Sequence, residues 1–369
     1  HITKPEIDFS PMLPDNDPKV YRKAMDNFAE WQKKGYLVRD SKPCYYVYAQ
    51  TMGERTQYGF VLCAHCDDYA KGLIKKHELT RKDKEDDRMV HVNIQSANIE
   101  PVFFAFRTQR ELEDILYKTA SSEPEYDFTD ENGFGHKFWV ISDDAMIERI
   151  TELFSDRVDA FYIADGHHRS AAAARVGEER AAANPSHRGD EEYNYFMAVC
   201  FPDDQLKVMD YNRVVKDLNG LVPSQIIGML GEHFDIMCQG ESVYAPSELH
   251  TFSMYLEGKW YELKARPDTY HGADLVESLD VSILSKYVLD EILGIKDLRR
   301  DPRIDFVGGI RGLGELKRRV DSGEMKIAFA LYPVTMEQIE DISDNHFIMP
   351  PKTTWFEPKL RSGLAIHTF

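Results

Sequence analysis

Apolar and polar positions divide the chain into stretches of two periods. Residues 21–35 place Phe28 and Trp31 on one face at helical spacing and predict an amphipathic helix. Residues 44–51 and 57–64 alternate, are rich in Tyr, Val and Phe, and predict two strands paired around Gly53-Glu54. Residues 67–74 read as a helix, 82–95 as a charged helix, and 102–106 as a short strand. Residues 109–119 predict a helix, 137–141 a strand and 143–154 a helix. The polar stretch 178–192, with Asn184-Pro185 and Arg188-Gly189, predicts an exposed, mobile loop. Residues 193–201 and 206–215 are expected to pair as a hairpin across Pro202-Asp203-Asp204-Gln205. A second hairpin is expected over 254–263, broken by Gly258, followed by helices near 275–293 and 312–322. A strand at 326–332 and a helix at 336–342 close the list of expected elements.

This irregular succession predicts a mixed α/β or α+β fold rather than a clean doubly wound sheet. Leu221-Val222-Pro223-Ser224 carries a helix-start signal and sets an expected boundary. The division is an α/β core over residues 1–220 and a smaller α+β domain over 221–369.

Composition narrows the function. The 369 residues are 43% hydrophobic, enough for a substantial core, with a net charge of −18. Such a surface repels phosphate backbones, so no nucleic-acid partner is expected. No apolar run approaches the roughly 18 residues that span a bilayer, so no membrane partner is expected. Five cysteines without scaffold spacing suit a reduced, cytoplasmic protein. Cys63-Ala64-His65-Cys66 has zinc-like spacing but no second cluster, and is read as an ordinary strand end with no metal.

The densest chemistry lies at Asp165-Gly166-His167-His168-Arg169. An apolar run, Phe161-Tyr162-Ile163-Ala164, precedes it, and an Ala-rich segment follows. A strand turning through glycine into a helix exposes backbone amides where the helix dipole favours an anion. His167, His168 and Arg169 add donors, and Arg169 is suited to grip an anion with two parallel hydrogen bonds. Asp165 is the acceptor, suited to a metal ion or a substrate cation. His77-Glu78 begins a helix-like stretch, where Glu78 is a candidate general base, although charged runs are usually solvated. Lys352, Lys359 and Arg361 lie in a Pro-stiffened tail and are candidates for phosphoryl oxygens, with Lys352 taken into the expected site. Arg213, after Asn212 at a strand end, is a further candidate anion contact. No phosphate-loop, His-Glu-x2-His or Gly-x-Ser-x-Gly motif is present.

Five segments together resemble a bacterial and archaeal family catalogued as domain of unknown function 1015. They are Lys76-His77-Glu78-Leu79-Thr80, Asp86-Asp87-Arg88, Ile163 through Arg169, Tyr211 through Leu218, and Met349-Pro350-Pro351-Lys352-Thr353. Members usually carry a further N-terminal segment with a Pro-Pro-Tyr-Asp-like motif, and this chain is expected to begin after it. More distantly, the elbow with its preceding His-Glu is similar to the ParB/sulfiredoxin-like superfamily, which includes free-serine kinases. That resemblance implies a ParB/sulfiredoxin-like core and phosphorylation of free L-serine to O-phosphoserine. ATP or ADP with Mg²⁺ would be the donor, and a small molecule the acceptor. Glu78 would be the base, with His77 beside it. Gly166, His167, His168 and Arg169 would hold the nucleotide phosphates, and Asp165 would orient the substrate amine or the Mg²⁺. A non-catalytic nucleotide sensor is the alternative reading, and a superfamily nuclease a third, disfavoured by the acidic charge.

Overall fold

The two alternating segments at residues 44–64 do pair. In the computed structural model, which describes residues 1–369, β1 (Tyr45–Met52) and β2 (Arg55–His65) are antiparallel. Met52 faces Arg55 across the Gly53-Glu54 turn, where Gly53 has a φ of +62°. A glycine with positive φ at the first turn position is what a two-residue hairpin requires.

Seven further strands follow. They are β3 (Ile74–Lys75), β4 (Ala97–Asn98), β5 (Val102–Phe106), β6 (Tyr126–Thr129), β7 (Gly135–Ile141), β8 (Phe161–Asp165) and β9 (Tyr195–Pro202). All but β4 join the hairpin in one eight-stranded sheet of order β3-β8-β5-β9-β2-β1-β7-β6. Two pairings, β3 with β8 and β5 with β9, are parallel, and the rest are antiparallel. All five residues of β5 are buried, as a strand covered on both faces must be.

Six helices accompany this sheet: α1 (Pro18–Lys33), α2 (Cys66–Ala70), α3 (Lys82–Gln95), α4 (Arg110–Ala120), α5 (Asp144–Arg157) and α6 (His167–Ala183). α4 buries Leu112, Ile115 and Leu116, an i, i+3, i+4 stripe, in the core that also holds Phe60, Phe104 and Ile163. α6 packs closely because its inner face is small. A Cβ on Gly177 would lie 2.9 Å from both Cys66 Sγ and Tyr193 O.

The chain divides into two compact units, His1–Leu206 with Pro358–Phe369, and Lys207–Glu357. The expected boundary at 220/221 therefore moves to 206/207, and the last twelve residues return to the first unit. There β16 (His367–Thr368) pairs with β4. The hairpin expected over 193–215 does not form. β9 ends at Pro202, residues 203–205 make a 3-10 turn, and Asp203 is held in the first unit by Thr108 N and Oγ1. The next strand, β10 (Tyr211–Val215), belongs to the second unit's sheet. Three local readings also change. α6 covers the first part of the expected loop at 178–192. The helix expected at 67–74 stops at Ala70 and gives way to β3. His77 and Glu78 lie in an irregular loop, because α3 starts only at Lys82.

The second unit adds α7 (Pro223–Leu230), β11 (Phe234–Gly240), β12 (Thr251–Leu256), β13 (Lys259–Ala265), α8 (Asp280–Leu284), β14 (Ile304–Gly308), α9 (Leu313–Asp321), β15 (Ile327–Leu331) and α10 (Met336–Asp344). Its six-stranded sheet, β11-β13-β12-β15-β10-β14, is antiparallel throughout. The helix expected near 275–293 is reduced to α8 and a π-helical turn at Ser285–Asp290. The fold is mixed α/β, and no helix is long and apolar enough to cross a membrane.

Candidate functional site

β8 delivers Asp165 to the end of the sheet, and Gly166 turns the chain into α6. Gly166 has φ +97° and ψ 30°, a left-handed conformation that side chains rarely adopt. A Cβ there would also stand 3.0 Å from Arg169 Nη2. The first amides of a helix have no intrahelical acceptor, and at α6 Gly166 supplies no capping side chain for them. Ser170 sits beneath the turn, its N–H and Oγ both donating to Gly166 O at 2.9 and 3.1 Å.

β3 runs parallel beside β8, with Ile74 opposite Phe161 and Lys75 opposite Tyr162. This register carries residues 76–81 alongside the elbow. The His77 and His167 rings meet edge to face at 4.6 Å, and Glu78 Oε2 lies 3.8 Å from His167 Nδ1. The Arg81 N–H donates to His168 Nε2 at 3.1 Å. That bond leaves the His168 ring proton on Nδ1. Two arginines of α6 then fasten α3. Arg175 pairs with Glu85 and Asp86 at 2.9 and 3.0 Å, and Arg180 donates to Asn93 and Ser96. Thr80 Oγ1 donates to Glu85, so the His77-Glu78 loop is tied at the same place.

The three histidines are neutral at neutral pH. Burial pushes His77 down to about 4, lowers His167 well below its usual range with the neighbouring His77, His168 and Lys76 adding to it, and lowers His168. They can offer N–H donors but not positive charge. His167 Nε2 is buried and has no hydrogen-bond partner within the protein.

The charge at the elbow comes from elsewhere. Arg169 Nη2 donates to Asp165 Oδ2 at 2.7 Å and Nη1 donates to Pro101 O at 2.6 Å. Lys359 Nζ donates to Asp165 Oδ1 at 3.3 Å. Asp165 is thus held between two cations, and Arg169 is fixed by a carboxylate and a carbonyl. A cavity of about 50 Å³ is lined in part by Arg169, Arg88, His91, Glu100, Ala173 and Phe196. Neither Glu78 nor His167 lines it.

The first unit therefore gathers His77, Glu78, Asp165, Gly166, His167, His168 and Arg169 in one place. Arg213 and Lys352 belong to the second unit. Arg213 is fully buried in β10, donates to Tyr211 O and, at 2.9 Å, to Lys352 O, and faces the Phe306 ring. Lys352 is exposed, with its ammonium over the Tyr211 ring. The tail cation that reaches the elbow is Lys359. Its selection over Lys352 has no signal in local sequence, because it depends on residues 358–369 returning to the first unit. The link from Arg175 to α3 has a weak signal, a cation within an otherwise small-residue helix.

No three His, Cys, Asp or Glu side chains converge as a metal site, and both Asp165 oxygens are already bonded to cations. The residues present do not form a resident Mg²⁺ site.

Solved structures with some likeness include a free serine kinase in complex with AMP, at 16% identity and a TM-score of 0.39. The match covers 80% of this chain and 86% of that one. A conserved hypothetical protein from Pyrococcus furiosus matches at 15% identity and TM-score 0.36, covering 80% and 90%. SbnI with C-terminal truncation from Staphylococcus aureus matches at 10% identity and TM-score 0.37, covering 80% and 82%. No curated protein matches the sequence. The family model described as Protein of unknown function (DUF1015) matches residues 1–282, and the chain belongs to that family.

Proposed function

We propose that the protein is a small-molecule kinase that transfers a phosphoryl group from a nucleotide, ATP or ADP, to the hydroxyl of free L-serine. The observation that carries this reading is the placement of the Glu78 carboxylate 3.8 Å from the first side chain of α6, beside an uncapped helix N-terminus. The amides and neutral histidines supply donors for phosphate oxygens, as helix N-termini do. Glu78, partly exposed, accepts the hydroxyl proton as the serine oxygen attacks the terminal phosphorus. The bond from that phosphorus to the bridging oxygen breaks, and the departing nucleotide keeps the electron pair. Positioning and charge neutralisation are the main demands of such a step. Mg²⁺ enters this reading only as part of the nucleotide, and no step is derived through it.

Asp165 supports recognition of an amine, since Lys359 already presents a primary ammonium to its Oδ1. The same closed pairing also favours a second reading, a nucleotide sensor without turnover, because both carboxylate oxygens are engaged. The test offers ATP or ADP with Mg²⁺ and a panel of free amino acids and reads phosphorylated products by mass spectrometry. O-phosphoserine supports the kinase. Saturable nucleotide binding with no product from any acceptor moves the assignment to the sensor.

A further inference from the structure

The cavity that Arg169 lines lies wholly within the first unit. Its walls come from the first residues of the chain, α3, β4, β5, α6 and β9. Most of the lining is apolar. Ile2, Val92, Ile99, Val102 and Phe196 surround it, and Ala173 of α6 contributes only a methyl group. The 50 Å³ have room for about four water-sized groups, at roughly 10–15 Å³ each. The whole hollow, counting the part open to solvent, spans about 520 Å³, within the range of small-molecule sites. An apolar interior with a few placed polar groups is the usual form of such a site.

The polar groups here carry opposite charges. Arg88 Nη1 lies 3.6 Å from Glu100 Oε2, and Arg88 Nε lies 3.9 Å from Asp87. Both separations exceed a hydrogen bond, so the guanidinium keeps N–H donors for a ligand. Glu100 is held as loosely, since its other contact is Ser362 Oγ at 3.5 Å. Arg169 is committed to Asp165 and to Pro101 O. His91, also in the lining, has its pKa lowered by burial and is neutral at neutral pH. Arg88 alone would suit a simple anion, but Glu100 beside it repels one. The pair suits a ligand that bears both charges close together next to an apolar group.

We propose that this cavity binds a free α-amino acid with a small aliphatic side chain, of the size of valine, leucine, isoleucine or methionine. The ligand carboxylate accepts from Arg88, its ammonium donates to Glu100, and its side chain enters the apolar interior. Serine's short polar side chain leaves that interior unfilled, and the phenylalanine ring exceeds it. The site is distinct from the one proposed for catalysis. Neither Glu78 nor His167 lines it, so the proposal does not rest on the kinase reading.

The test is calorimetric titration of L-leucine, L-isoleucine, L-valine, L-methionine, L-serine and L-phenylalanine into the full chain without nucleotide. At least one of the four aliphatic ligands should bind saturably, and about tenfold or more tighter than serine or phenylalanine. For leucine, 4-methylpentanoate lacks the ammonium and 3-methylbutylamine lacks the carboxylate; each should bind about tenfold or more weaker than leucine, the worth of one charge-assisted hydrogen bond. Arg88→Met and Glu100→Gln should each weaken the amino acid by a similar factor, whereas Glu100→Gln should bind 4-methylpentanoate no worse than wild type does. Both side chains are partly exposed, and circular dichroism with a thermal melt checks that the variants fold. The ligand series itself needs no variant. Absence of saturable binding by all four aliphatic amino acids overturns the proposal. So does serine binding as tightly as the best of them, 4-methylpentanoate matching leucine, or unchanged affinity in either variant.

Discussion

Two arginines in similar sequence settings, Arg169 after β8 and Arg213 within β10, have opposite surroundings. Arg169 is partly exposed, pairs with Asp165 and borders an uncapped helix start. Arg213 has no exposure and no carboxylate partner; its guanidinium meets two backbone carbonyls and the Phe306 ring. Burial holds its pKa down to about 10, so it stays charged at neutral pH. An arginine in each setting thus does a different kind of work. At an exposed elbow it orders a site; inside a sheet it ties the segment around Lys352 to β10. Variants at the elbow should change binding and turnover with little change in melting temperature, and variants at β10 should do the reverse.

The largest effect is expected at Glu78. Glu78→Gln should lower the rate of serine phosphorylation by about two to four orders of magnitude, the usual worth of a general base. Its melting temperature should hold, since the side chain is partly exposed. Steady-state kinetics beside a thermal melt checks both halves.

Arg213→Ala should cost on the order of 3 kcal/mol of stability, because it empties a large buried site and leaves two carbonyls without donors. Denaturant unfolding measures it. If the variant is as stable as wild type, the contrast drawn between the two arginines fails.

A pH effect of comparable ceiling belongs to His77. Its folded pKa of about 4 lies below the ordinary 6.5, so the unfolded chain binds more protons between those values. Stability is then full above about pH 6.5, falls as the pH drops, and levels off below about pH 4. At 1.36 kcal/mol per unit this amounts to about 3 kcal/mol at most. His77→Gln should flatten that part of the stability–pH curve.

The smallest effect is expected from Arg169→Lys. A lysine cannot serve Asp165 and Pro101 O together, which should cost about 1 kcal/mol of stability and a few-fold in nucleotide affinity. Titration calorimetry resolves the second part.

Much of this was legible where the signal is local. The charged helix at 82–95 and the strand at 102–106 match α3 and β5 to the residue; a run of charged helix formers marks the first and a continuous apolar run the second. The β1–β2 hairpin was legible from alternation and a glycine turn. β3 and β4, at two residues each, are too short to show a period, and they form through partners far along the chain. The false hairpin at 193–215 arose because two adjacent apolar strands look alike whether they pair or part. The elbow is one contiguous motif and could be read directly. The neutrality of its histidines, the double pairing of Asp165 and the arrival of Lys359 follow from burial and long-range return of the chain, which no short window contains.

The most direct test of a phosphate site on α6 follows the backbone amide resonances of His167, His168 and Arg169 while ADP is added, with adenosine as the comparison. The account predicts large, saturable shifts at these three amides with ADP and none with adenosine. Equal shifts with both, or shifts confined to other parts of the chain, would contradict it.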